Sequence, residues 1–98
     1  MREIRHPAAS DLDLATVLRT VGDPVRLAIV QQLLDGREHI CTVLNESVDV
    51  SPSTLSYHLR LLREAGVTRT RAAGTERHVS LRADDLERRF PGLLEVLA

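Results

Sequence analysis

Apolar positions along this chain follow a helical period almost everywhere and alternate only in one stretch past the middle. Leu14, Leu18 and Val21 lie at helical spacing, and Ser10 with Asp13 three residues on predicts a capped start for the first helix. Gly22-Asp23-Pro24 interrupts the pattern. Gly22 suits a position just past a helix end, Asp23 a new N-cap, and Pro24 the first helical turn, where its missing N–H has no partner to lose. Leu27, Val30 and Leu34 mark the stripe of a second helix, which Gly36 closes. Leu44 and Val48, one turn apart, predict a short third helix from Ile40 to Val48.

Asp49-Val50-Ser51 is a tight break. Ser51 can cap a fourth helix with Pro52 at its first position; that helix runs to about Ala65 and ends at Gly66. Val67-Thr68-Arg69-Thr70-Arg71 and Arg77-His78-Val79-Ser80-Leu81 alternate on either side of Ala73-Gly74-Thr75 and predict a β-hairpin. A helix from about Ala83, interrupted at Pro91, leads into an apolar tail of Leu93, Leu94, Val96 and Leu97. The predicted class is mainly α with a small β-hairpin wing. A short helix, a turn of about three or four residues and a second helix form a helix-turn-helix unit, and the hairpin that follows is the wing. No repeat or linker divides the chain, so residues 1–98 are expected to form a single winged helix-turn-helix domain.

Length sharpens this picture. With 98 residues and 43% apolar content, there is one thin core. It cannot fully cover both the first helix and the apolar tail, so these are expected to pair with their symmetry mates in a homodimer. No apolar run is long enough to span a membrane, and Met1 to Pro7 carries Arg2, Glu3, Arg5 and His6 in place of a secretory apolar stretch. A cytoplasmic protein is expected.

Net charge is −1, but its distribution is uneven. Residues 1–50 hold five Arg and eight acids, residues 51–82 six Arg and two Glu, and residues 83–98 two Arg and four acids. A basic middle between acidic ends suits a local phosphate-binding face. The chain has no Lys at all, and Arg can make bidentate contacts to phosphate or guanine.

The fourth helix is the most informative stretch. Leu55, Leu59 and Leu62 form a stripe that must be buried. Ser53, Tyr57 and Arg60 fall on the opposite face, with Ser56 at its edge. Small hydroxyls near a helix N-terminus and an Arg one turn further in suit base edges in a major groove. Ser51 and the helix N-terminus can face a phosphate. Arg69, Arg71 and Arg77 on the hairpin are candidates for phosphate or minor-groove contact. His58, near the buried edge of this helix, reads as a structural histidine. Tyr57 and Phe90 are the only aromatics, too few for a stacking platform on single strands.

Gly22-Asp23-Pro24-Val25-Arg26-Leu27, followed at the right distance by Ser51-Pro52-Ser53-Thr54-Leu55-Ser56-Tyr57-His58-Leu59 and Leu62-Arg63-Glu64-Ala65-Gly66, resembles the ArsR family of bacterial winged-helix repressors. The resemblance runs through the wing to about Leu81. It implies a homodimer, an imperfect palindromic operator in double-stranded DNA, and repression relieved by a ligand. Many members of that family sense metals through a Cys-x-Cys pair, whose places here fall on Ile40 and Thr42. Cys41 between them shares the Leu44 and Val48 stripe and reads as a packing residue. Other members bind metal on the last helix through His and carboxylates, but residues 83–98 hold no His. There Asp84, Asp85 and Glu87 complement the positive end of a helix.

No nucleophile–base pair, Gly-rich phosphate loop or paired carboxylates point to an enzyme, and no metal or cofactor is expected. The leading reading is a homodimeric repressor of duplex DNA whose effector the residues do not name. The alternatives are a metal- or thiol-responsive repressor using Cys41, and a winged-helix module for protein contacts.

Overall fold

The computed structural model describes residues 4–98; Arg2 and Glu3 of the basic-acidic N-terminal stretch lie outside them. The elements are α1 (Leu14–Val21), α2 (Pro24–Leu33), β1 (His39–Ile40), α3 (Cys41–Val48), α4 (Pro52–Glu64), β2 (Thr68–Ala73), β3 (Glu76–Leu81), α5 (Ala83–Arg89) and α6 (Leu93–Leu97). This is a mainly helical winged helix-turn-helix.

Local chemistry sets the boundaries. Asp13, not Ser10, caps α1: its carboxylate accepts the Thr16 N–H at 3.0 Å and the Thr16 hydroxyl at 2.8 Å. Those bonds hold its carboxyl below the usual carboxylate range. Ser10 sits instead in a 3-10 turn, Ala9–Asp11. Asp23 caps α2 as expected, accepting from the N–H groups of Val25 and Arg26 at 2.9 and 3.1 Å, with Pro24 in the first turn. The third helix starts at Cys41, because Ile40 is committed to a strand.

That strand, like the 3-10 turn, is absent from the expectations. β1 pairs antiparallel with β3, His39 opposite Val79 and Ile40 opposite His78, giving a three-stranded sheet of order β1-β3-β2. β2 and β3 pair from Thr68–Leu81 to Ala73–Glu76 around a two-residue turn, Gly74-Thr75. Gly74 has φ +62° at the first central position, as a type II′ hairpin requires.

The core forms around α2, which packs against α1, α3, α4, β3 and α6. Surrounded in this way, α2 buries more than one stripe. Ile29, Val30 and Leu33 are fully enclosed, while Leu27 and Leu34 of the expected stripe are only partly covered. In α1 it is Val17 and Val21 that enter the core. Leu14 and Leu18 turn outward, 45% and 48% exposed, and border an apolar groove of about 630 Å³ with Phe90, Pro91, Leu93 and Val96.

The segment before α1 straps the other side of the sheet. Arg82, only 5% exposed, donates to the Pro7 carbonyl at 2.8 Å and pairs with Asp85 at 3.0 Å. Arg89 donates to the carbonyls of Ser10 and Leu12. His6 Nε2 accepts the Thr70 N–H at 3.0 Å, along the outer edge of β2, which carries no further strand among the described residues. Leu12 is buried against Gly66, which ends α4 with φ +80°.

Candidate nucleic-acid interface

α3 and α4 are the helix-turn-helix pair. Their link, Asp49-Val50-Ser51, turns because Asp49 adopts the left-handed region at φ +52° and its N–H reaches the Asn45 carbonyl. The Asn45 side-chain amide donates to the Val50 carbonyl across the same turn. Asp is one of the few non-glycine residues that tolerate this conformation. Ser51 then caps α4, its hydroxyl accepting the Thr54 N–H at 3.2 Å and donating to the Thr54 hydroxyl at 2.8 Å.

A second clamp fixes the angle of α4. Arg26 donates to the Thr20 carbonyl and, at 3.1 Å, to Nδ1 of His58. His58 is half-buried, and its Nδ1 is committed to this link between α2 and α4. The Arg26 position of the Gly-Asp-Pro-x-Arg motif thus works by aiming the fourth helix.

With Leu55, Leu59 and Leu62 buried, α4 presents Ser53, Ser56, Tyr57 and Arg60 to solvent along its full outer face. Arg60 lies over the Tyr57 ring, 5.7 Å from its centroid, and meets Glu64 only at 3.9 Å. Tyr57 is 50% exposed. The guanidinium is therefore preordered by a ring without being neutralised.

The hairpin divides its arginines. Arg69 and Arg71 project from one face of the sheet, opposite Ser80 and His78. There Arg71 forms a bidentate pair with Glu38 at 2.8 and 2.9 Å, and Arg69 lies 3.7 Å from Asp85. Arg77, opposite Ala72, projects from the other face. It joins Ser56, Arg60, Arg63, Thr70, Leu59 and Cys41 around a cavity of about 330 Å³ between α4 and the wing. The structure thus unites Ser56, Arg60 and Arg77 of the expected set and turns Arg69 and Arg71 away from them. It adds Arg63, one turn beyond Arg60 and seven residues after Ser56; that spacing was the available signal.

Cys41 is half-buried, and burial raises its thiol pKa above the ordinary value. Its neighbours Ile40 and Thr42 offer a hydrocarbon and a hydroxyl where a soft metal needs thiolates. Among the described residues, no three His, Cys, Asp or Glu side chains converge. The donor set does not fit the metal site of the sensing relatives. Also among the described residues, no helix is long and apolar enough to cross a membrane.

Known proteins share this arrangement. A family described as a helix-turn-helix domain matches residues 21–71, from the end of α1 into β2. The uncharacterized HTH-type transcriptional regulator YceK of Bacillus subtilis is 39% identical over 84 residues, 85% of this chain and 84% of its own. The transcriptional repressor BigR of Xylella fastidiosa superposes with a TM-score of 0.66 at 31% identity, over 79% of this chain and 85% of its own. The homodimeric winged helix-turn-helix domain of Mb0332 from Mycobacterium bovis, a possible ArsR-family regulator, gives 0.71 at 25% identity, over 86% and 76%. With its cap-and-proline start to α2, its solvent-facing α4 and its wing, the chain belongs to the ArsR family of winged helix-turn-helix transcriptional regulators, which bind DNA and are not enzymes.

Proposed function

We propose that residues 1–98 act as one DNA-binding unit, a homodimeric repressor that places α4 of each protomer in successive major grooves of a palindromic operator. The observation that carries this reading is the α4 face. Ser53, Ser56, Tyr57 and Arg60 are exposed together on a helix whose other side is locked into the core. Ser53, Ser56 and Tyr57 read base edges, and Arg60 makes the reaching contact. Arg77 holds a flanking phosphate from the wing. Ser51 contributes as the cap that frames the helix N-terminus. Arg69 and Arg71, on the far face of the hairpin, are tied to Asp85 and Glu38 and serve the wing's position. The homodimer forms through the outward faces of α1 and α6, in keeping with the homodimeric Mb0332 domain. An isologous contact of this kind spaces two recognition helices by about 34–36 Å, one turn of DNA. The protein would work in the cytoplasm, where such an operator lies.

The test begins with duplexes selected from a random pool by the purified protein. Arg60→Ala is expected to weaken binding to the selected operator by about 1–3 kcal/mol, as loss of a bidentate base contact does. Its folding should stay intact, because Arg60 is exposed and lies off the buried stripe. A gel-shift titration with unchanged affinity would remove Arg60 from the reading face. A binding constant insensitive to salt would remove duplex DNA as the partner.

A further inference from the structure

The cavity between α4 and the wing is more than a stretch of solvated arginines. Arg69, Arg71 and Arg82 each have a carboxylate partner. Among the described residues Arg63 and Arg77 have none, and Arg60 has only the distant Glu64. Two of the three arginines at this cavity thus lack a carboxylate among the described residues, and the third, Arg60, has one only at a long distance, much as Arg69 does. Two buried hydroxyls of β2, those of Thr68 and Thr70, have no hydrogen-bond partner among the described residues, and of the two only Thr70, 6% exposed, lines the cavity. Buried hydroxyls are nearly always paired, so an unpaired one just behind a cavity wall is a place where a bound group can supply the partner. Leu59 and Cys41 supply an apolar wall. A volume of about 330 Å³ falls in the range of small-ligand pockets and exceeds what a lone water needs.

We propose that this cavity is the effector site, and that its ligand is a small oxyanion, a carboxylate or phosphate with a short apolar body. Arg63 and Thr70, the covered members of the set, hold the anionic group, and the body lies against Leu59 and Cys41. Arg60 and Arg77, the exposed members, close over it. These two are also the arginines assigned to DNA, so a bound anion draws them from the duplex and the two ligands exclude each other. The regulatory half of this inference rests on the α4-and-wing reading of DNA binding; the binding half does not.

The experiment therefore has two arms. In the first, the DNA-free chain is titrated with inorganic phosphate, succinate or benzoate while chloride holds ionic strength constant. The amide resonances of Ser56, Arg63, Thr70 and Arg77 are followed by NMR. At least one anion is expected to saturate in the millimolar range or below. Thr70→Val and Arg63→Gln should each weaken it at least tenfold; Thr70→Val is isosteric and keeps the fold. In the second arm, a labelled duplex is followed by fluorescence anisotropy. An anion at ten times its wild-type Kd should weaken duplex binding about tenfold by mass action in the wild type and by no more than about twofold in Thr70→Val, which itself binds duplex normally. Shifts that never saturate, or that persist unchanged in both variants, would overturn the site. So would non-saturating anions together with duplex binding weakened by both substitutions, since the cavity would then seat only a backbone phosphate. Saturable anion binding by a chain that fails to bind duplex would sink the DNA reading and leave the anion site standing.

Discussion

Leu18→Glu combined with Val96→Asp is expected to give a folded monomer whose operator affinity has dropped by about two to four orders of magnitude, the factor that a second tethered half-site contributes. Leu18 is 48% exposed and Val96 80%, so a carboxylate at either position stays in water within one protomer and costs the fold little. In a dimer that seals the groove beside α1 and α6, the same carboxylates would lose their hydration against an apolar partner. The substitutions therefore separate assembly from folding. Deleting residues 90–98, a cruder route to the same question, would also remove Leu93 and Leu97, each 8% exposed and part of the core. Light scattering reports the mass and anisotropy reports operator binding. A dimer that survives both substitutions would place the interface elsewhere.

Gly66→Ala is expected to destabilise the fold by about 2–5 kcal/mol, the sum of a left-handed backbone penalty and overpacking. Gly66 holds φ +80°, and a Cβ built there lies 1.9 Å from Leu12 Cδ2 and 3.3 Å from Pro7 Cγ. Leu12 has little room to retreat, being 3% exposed and pinned through its carbonyl by Arg89. Gly74→Ala is the control. Gly74 also has positive φ, +62°, but nothing lies within 4 Å of the added carbon, so only the backbone penalty of about 1–2 kcal/mol remains. Urea unfolding of both variants measures the difference. Equal losses would mean that the strap yields freely and does not bear on the end of α4.

Much of this arrangement could be read from local chemistry. Asp23-Pro24, Ser51-Pro52 and the glycine after α4 each act within a few residues, and each stands where the sequence places it. The same locality explains the displaced cap of α1. Ser10 and Asp13 are both good caps, and only the helix's actual start at Leu14 decides between them. β1 was beyond reach because two residues carry no period of their own; they form a strand only because β3 arrives beside them.

The wing shows the sharpest limit on the candidate site. A three-residue turn over Ala73-Gly74-Thr75 would set Arg77 opposite Arg71 and put all three hairpin arginines on one face. The actual turn is one residue shorter, and that single step moves Arg77 to the α4 side. Hairpin alternation is visible in sequence, but register across the turn is not. Arg63 adjoins the leucine stripe, and its place at the site depends on the wing folding back beside it.

The strap carries one more consequence. A free strand edge is a template on which another chain can pair, and His6 occupies part of that edge by accepting the Thr70 N–H. It can accept only while its ring is neutral. Burial, together with the nearby charges of Arg82, Arg63 and Arg69, keeps the His6 pKa below the ordinary 6.5. The unfolded chain therefore takes up this proton first. The stability tied to the neutral ring is complete above pH 6.5 and is lost as pH falls through that value towards the lower folded-state pKa. Mild acid is thus expected to loosen the strap and uncover β2, so that light scattering rises as chains begin to add edge to edge. Among the described residues, the hydrogen bond that closes this edge is made by one imidazole, and it forms only while that ring is uncharged.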